Sequence, residues 1–293
     1  MDKRSLDQLI EAQYPSLPPA LQRAARHIID HPKDVALHSM RALAAHADLP
    51  ASAMNRLARQ LGFDGYDALR AVYRDWVAQG EGSFADRATG LQRRGAAGKG
   101  EALLRDVLEA DMQNLRQMQD PAVLQALEAA RDVLADARRI HVVGLRSLFP
   151  AAFYFNYACG MFRHGTTLLS GIGGIFADEL RGAGRQDALV AFSYDPYARD
   201  TVSAVTHARE LGVRIVGVTD SAVSPVAAQA KVSIVVPNTT PSLFASVVPA
   251  MAVAQALAAL LLAGAGKAGL REVARSEAQL RQFAVYQDDG RAG

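Results

Sequence analysis

The sequence predicts an all-α helix-turn-helix domain at the N-terminus, followed by an α/β domain whose five-stranded parallel sheet is flanked by helices. Residues 40–65, MRALAAHADLPASAMNRLARQLGFDG, set a short alanine-rich helical pattern, a tight turn and a second helical pattern in helix-turn-helix proportions. Beyond Arg139 the hydrophobic period shortens, and five β-branched runs are separated by segments long enough for crossover helices. With 293 residues, the chain has room for two domains of ordinary size.

Residues 18–31, PPALQRAARHIIDH, carry helical spacing through Leu21, Ala24, Ala25 and Ile28, and Pro32 marks a break. In the first helix of the central motif, Ala44, Ala45 and Ala47 are small enough for two helices to approach. Asp48 sits where the turn favours a left-handed residue, Leu49 plugs the turn, Pro50 suits the start of a helix, and Gly62 closes it. Met54, Leu57, Ala58 and Leu61 fall at i, i+3, i+4 and i+7 and form one inward stripe. The opposite face carries Ser52, Asn55, Arg56, Arg59 and Gln60, side chains able to reach phosphates and base edges from the major groove of double-stranded DNA. Phe63 and Tyr66 offer apolar contact around Gly65, and Asp67 to Ala78 continue as an amphipathic helix through Leu69, Val72, Tyr73 and Trp76.

Residues 1–78 are therefore expected to be the helix-turn-helix domain. Residues 79–100 hold six glycines and predict a flexible linker, and 101–285 form the second domain. The latter opens with helical patterns at Glu101–Gln119 and Pro121–Ala137. Strands are expected at Ile140–Val143, Thr166–Ser170, Ala188–Phe192, Val213–Thr219 and Val232–Val236, with four helical crossovers between them. Ligands of such a sheet bind at the carboxyl ends of its strands, here the loops 144–149, 171–174, 193–201 and 219–224.

Composition restricts the function further. The net charge is only +2, and residues 1–78 hold ten Lys and Arg against nine Asp and Glu, so DNA contact must come from local placement rather than bulk charge. The single cysteine, Cys159, excludes an internal disulfide and a cysteine-based metal site; it reads as a core residue of a protein kept in a reducing cytoplasm. No cofactor or metal is expected. MDKRSLDQLIEAQYP lacks the apolar run of a signal peptide. Residues 232–266 carry no charge, yet their alanine content, Pro249 and Gln255 predict a buried or subunit-contact helix rather than a membrane span.

The motifs VVGLRS, AFSYDPYARDT and VTDSAVSPVAAQA, placed after NRLARQLGFDGYDALR, resemble those of RpiR-type transcriptional regulators. These couple a helix-turn-helix head to a sugar-isomerase-like (SIS) phosphosugar-binding domain, and the resemblance spans roughly Tyr14 to Ala263. It implies that Ser52 to Gln60 read DNA and that loops 144–149 and 193–201 hold an effector. SIS domains usually have Gly-x-Gly-x-Ser after the first strand, where this chain has Gly144, Leu145, Arg146, Ser147 and Leu148. They favour Ser-x-Ser-Gly-x-Thr after the third, where it reads Ser193, Tyr194, Asp195, Pro196, Tyr197 and Ala198. Ser147, Ser193 and Thr201 keep hydroxyls, while Arg146 and Arg199 offer bidentate grips for an anion. Asp195, if it points inward, would repel phosphate and instead accept from sugar hydroxyls or an amine. Tyr197, Asp220 and Ser221 complete the candidate effector set. The expected effector is an anionic sugar derivative or a related small acid. The working form is a homodimer or homotetramer on a two-fold operator, and the alanine-rich helix at 243–263 is the candidate subunit contact.

Two other readings use the same residues. An isomerase would need a base near the bound sugar, and the candidates are His141, His164, His207 and Glu179. His141 within a strand and His207 mid-helix are poorly placed for this, and catalysis is not expected. Alternatively, the SIS domain serves only as a ligand-free oligomerisation scaffold.

Overall fold

A computed structural model describes residues 1, 3–78, 84–96 and 100–287. The chain gathers into two units, one formed by Met1–Leu108 with Ser221–Ser224 and Pro241–Phe244, the other by Glu109–Asp220, Pro225–Thr240 and Ala245–Gly293.

The first unit contains helices α1 (Lys3–Gln13), α2 (Pro19–Asp30), α3 (Pro32–Leu37), α4 (Met40–His46), α5 (Ala51–Gln60), α6 (Tyr66–Ala78) and α7 (Phe84–Ala96). Helix α1 lies outside the segments with predicted helical spacing. It forms because Leu6 and Ile10, one turn apart, are both fully buried in the core with Ile28, Leu43, Leu57 and Leu69. Tyr73 ties it to α6: its hydroxyl donates to Asp7 Oδ1 at 2.8 Å. Pro32 ends α2 as expected but also starts α3, where a missing N–H costs nothing. Arg70 donates to the carbonyls of Ala36 and Leu37 and so satisfies the end of α3.

The 79–100 stretch, expected to be a flexible linker, holds the thirteen-residue helix α7. Its glycine count overstated the break, because Asp86 in the first turn and Arg93 and Arg94 in the last complement the helix dipole. Residues 79–83 and 97–99 lie outside the described residues.

Helix α8 (Gly100–Gln117) leads into the second unit. There follow α9 (Pro121–Ala135), β1 (Ile140–Gly144), α10 (Phe149–Gly160), β2 (Thr166–Leu169), β3 (Ala188–Ser193), α11 (Arg199–Glu210), β4 (Arg214–Thr219), β5 (Val232–Val235), α12 (Val248–Gly264) and α13 (Gly266–Gln282). All five strands are parallel, in the order β2-β1-β3-β4-β5. Side-chain alternation divides the core. Val142, Val190, Val216 and Val218 pack with α9, α10 and α12 on one face, and Val143, Leu189, Ala191 and Ile215 pack with α11 on the other.

Two of the four expected helical crossovers are not α-helical. Between β2 and β3 the chain makes 3-10 turns at Ile172–Gly174 and Asp178–Leu180, and between β4 and β5 one at Ala227–Gln229. In the first of these connections Gly171, Gly173, Gly174 and Gly182 all take positive φ, which breaks helical propagation.

Helix α12 is a core helix. Pro249, Ala250, Val253, Ala254, Leu257, Ala258 and Leu261 are buried, which leaves Gln255, Ala259 and Ala263 exposed as the strip open to a subunit contact. Among the described residues no single helix is long and apolar enough to cross a membrane, and α12 and α13 diverge by 115°. Cys159 is fully buried in the same core, and burial pushes its thiol up to about 12, as a packing residue requires.

The amino ends of β1 and β3 are clamped by Asp187, which is fully buried and accepts from Arg138, Arg139 and the Gly184 N–H. Burial alone would raise its pKa, but these hydrogen bonds outweigh it and hold the carboxyl well below the usual carboxylate range.

Candidate functional site

The turn before α5 forms as its residues dictate. Asp48 takes φ 51° and Leu49 is buried in the core, while Gly62, past the end of α5, takes φ 88°. Ser39 caps α4 by accepting from Ala42 N. Of the three alanines expected at the helix crossing, Ala44 is buried, Ala47 is half-buried and Ala45 faces solvent. Met54, Leu57 and Ala58 are fully buried and Leu61 nearly so; burying side chains the size of Met54 and Leu57 stabilises by about 1.5–3 kcal/mol each. That anchoring fixes the rotation of α5 and hence which residues it presents.

Ser52, Arg56, Arg59 and Gln60 are presented, all four exposed. Arg56 and Arg59 enter no ion pair among the described residues, so their guanidinium groups are not neutralised within the chain. Asn55 differs. It is half-buried, and its Oδ1 accepts from the backbone N–H of Tyr66 at 3.1 Å, satisfying the first donor of α6. A Cβ on Gly65 would lie 3.0 Å from that oxygen, so the glycine leaves room for the bond. The Tyr66 hydroxyl reaches the Val35 carbonyl at 3.4 Å, and burial pushes its phenol up to about 12.

In the α/β unit the strand order locates the cleft. From β1 the chain moves outward to β2, then crosses back over β1 to β3, so the connections leave the carboxyl ends of β1 and β3 in opposite directions. Gly144 pairs in register with Phe192, so the loops that follow begin side by side. The sequence places Gly144 in the loop after β1 without showing why that position must be glycine. A Cβ there would lie 2.9 Å from Ala152 Cβ, 2.9 Å from Leu148 O and 3.1 Å from Phe192 Cβ, so only glycine lets the loop fold back tightly onto α10.

Within that loop Arg146 is exposed and held at φ 56°, a left-handed conformation unusual for a long side chain, and Ser147 is half-buried. After β3, Arg199 is exposed at the first position of α11 and Tyr197 is half-buried, whereas Ser193 and Thr201 are buried. The Thr201 hydroxyl has no hydrogen-bond partner among the described residues, an orphan polar atom beneath the loop. Asp195 joins Pro196 through a cis peptide bond, and its N–H donates to Asp220 Oδ2 at 3.1 Å, linking the ends of β3 and β4. Asp220 also accepts from Thr219 Oγ1 and from Tyr197. Burial raises its pKa, the Asp195 N–H opposes that rise, and the Asp195 charge adds to it. Ser221 Oγ accepts from Val223 N at 3.2 Å, so it shapes its own turn.

The residues weighed as bases occupy other positions. His141 lies buried in β1 with neither ring nitrogen bonded among the described residues, His164 pairs with Glu272 at 2.9 Å, and His207 faces Glu210 on the exposed side of α11. Glu179 accepts from Gly171 N and Ser170 Oγ and so pins the glycine loop after β2.

An exposed donor-rich helix on a helix-turn-helix head, joined in one chain to a parallel α/β unit with a strand-end cleft, defines a DNA-binding regulator with a ligand-sensing domain. Comparison with known proteins agrees: residues 4–80 match the helix-turn-helix domain of the rpiR family, and residues 133–260 match the SIS domain. The chain thus pairs an rpiR-family helix-turn-helix domain with a SIS domain, the makeup of a sugar-sensing transcriptional regulator. It is similar to the HTH-type transcriptional regulator HexR of Pseudomonas aeruginosa, with 26% identity over 233 residues, 76% of each chain. The sugar isomerase domain of an RpiR transcription factor from Sphaerobacter thermophilus superposes with TM-score 0.50 and 29% identity, covering 63% of this chain and 97% of that one. The Vibrio vulnificus NanR protein, solved in complex with ManNAc-6P, shares the fold with TM-score 0.53 and 17% identity over 95% of this chain and 98% of that one.

Proposed function

We propose that this regulator binds a two-fold operator as a dimer or tetramer through the exposed face of α5, and that an anionic sugar derivative or related small acid at the β1–β3 cleft changes its operator affinity. The observation that carries the reading is the division of α5 into a fully buried apolar stripe and an exposed face holding Arg56 and Arg59 without ion pairs among the described residues. Paired heads would meet half-sites about 10 bp apart or a multiple of that. Effector and DNA then bias one equilibrium reciprocally.

For the effector, two exposed arginines flank the switch point, Arg146 and Arg199, and NanR provides a relative of this fold solved with a phosphosugar. Arg146 replaces the small residue that usually allows backbone amides to cradle phosphate, so charge and bidentate hydrogen bonding take over that role here. Asp195 and Asp220 provide acceptors for sugar hydroxyls. The chain acts without catalysis, since His141, His164, His207 and Glu179 are each engaged or buried away from the cleft, and it works in the cytoplasm where its DNA is.

The test is fluorescence anisotropy of the full chain on promoter fragments from its own gene neighbourhood against random competitor DNA, with and without a panel of sugar phosphates, sugar acids and neutral sugars. Preference for one fragment, changed by an anionic member of the panel, is expected. Equal binding to all fragments removes the regulator reading, and a response to neutral sugars alone removes the anion.

A further inference from the structure

The amino end of the sheet, opposite the effector cleft, holds a second cavity of about 500 Å³. It lies between the C-terminal parts of α9 and α12, the start of α13 and the segment before β2, all within one unit. Four arginines line it, Arg131, Arg163, Arg271 and Arg275, against two carboxylates, Asp132 and Glu272.

Both carboxylates are already engaged. Glu272 holds Arg275 at 2.7 Å and His164 at 2.9 Å, and Asp132 Oδ1 lies 2.9 Å from its neighbour Arg131. Arg163 and Arg271 have no carboxylate partner among the described residues. Arg163 donates one Nη2 bond to the Ala137 carbonyl, but its Nε is buried and has no acceptor among the described residues, whereas the Nε of Arg131 is the atom that faces Asp132. A buried guanidinium donor left in this state is costly, so Arg163 at this cavity calls for an acceptor that the described residues do not supply. The first turn of α13, which has no side-chain cap, also borders the space at Ala268 and Gly269. The rest of the lining is apolar, with Phe162 and Leu261 nearly buried.

We infer that this cavity is a second ligand site, distinct from the strand-end cleft, that takes a small organic anion: an oxyanion held between the guanidinium groups of Arg163 and Arg271, with an apolar body against Phe162 and Leu261. The oxyanion is a phosphate or a carboxylate, chemistries that a planar guanidinium fork grips alike. The site does not depend on the regulator reading, because its occupancy is measured without DNA.

The experiment is calorimetry of the full chain with phenyl phosphate in one arm and benzoate in the other, two probes with the same apolar ring and different oxyanions. Saturable binding of at least one is expected, and the tighter arm names the oxyanion. Arg163→Gln and Arg271→Gln should each weaken that probe by about ten-fold or more, as loss of a charged hydrogen bond implies. Arg271 is exposed and makes no bond within the described chain, so Arg271→Gln still tests the site should Arg163→Gln fail to fold. Arg199→Gln, at the other end of the sheet, should leave the binding in place. No heat from either probe at about 10 mM, unchanged affinity in Arg271→Gln, or loss of the signal in Arg199→Gln alone would each overturn the inference.

Discussion

Asn55 and Arg56 are neighbours on α5 with opposite fates in the structure, and replacing each by alanine separates folding from DNA contact. Asn55 accepts from Tyr66 N at 3.1 Å and is half-buried. Removing it leaves the first amide of α6 unsatisfied, which by the cost of lost helix caps destabilises the head by about 0.5–2 kcal/mol. Asn55→Asp keeps an acceptor at that point and places negative charge at a helix N-terminus, so it should recover most of the loss. Arg56 is exposed and enters no ion pair among the described residues, so Arg56→Ala should leave stability within about 0.5 kcal/mol. Its effect falls on DNA. If each Arg56 neutralises one phosphate, the slope of log K against log salt becomes shallower by about 0.9 per protomer, or about 1.8 for a dimer on two half-sites. Urea denaturation reads the first quantity, and anisotropy titrations at several salt concentrations read the second. The reasoning is refuted if Asn55→Ala keeps wild-type stability while altering base preference, or if Arg56→Ala keeps the wild-type salt slope.

Two further outcomes follow from buried positions. Gly144→Ala forces a methyl to within 2.9 Å of Ala152 Cβ and Leu148 O; it should cost about 1–3 kcal/mol in denaturation of the α/β unit and abolish effector response, while Ser147→Ala keeps stability. His141 has a pKa below its ordinary 6.5, first because of burial and then because of Arg139, with Asp187 opposing and Arg138 adding to the effect. The unfolded chain therefore takes up this proton at higher pH than the folded one: the stabilisation is complete above about pH 6.5 and is lost as pH falls through the folded value. Melting temperature should drop between about pH 7.5 and 5.5, and by less in His141→Leu; an equal drop in both would show that other groups set the acid sensitivity.

Some of this is legible in the residues because it depends on local rules. The inward stripe of α5, the left-handed Asp48 and Gly62, and the five strands each follow from periodicity or from one residue's backbone preference. The strands begin and end within a residue of expectation, because runs apolar on both faces have no other stable home. The α7 helix and the 3-10 turns after β2 depart from expectation, since glycine content records only a propensity and the positive φ values that break a helix fall at particular positions; the 3-10 turn after β4 departs as well, without any positive φ. Asn55 shows the same limit: a polar residue on a polar face reads as available until a partner eleven residues away claims its oxygen.

The order of residues by itself determined the two-part architecture, the rotation of the reading helix and the strand-end loops, because helical and strand periods are short-range properties of the chain. Tertiary structure alone decided the strand order that places the cleft between β1 and β3, the need for glycine at 144, and the gathering of Arg131, Arg163, Arg271 and Arg275 around one cavity. Those arginines are up to 144 residues apart (275 − 131). Such separations carry no periodic signal, since the proximity is set by how whole helices pack against the sheet.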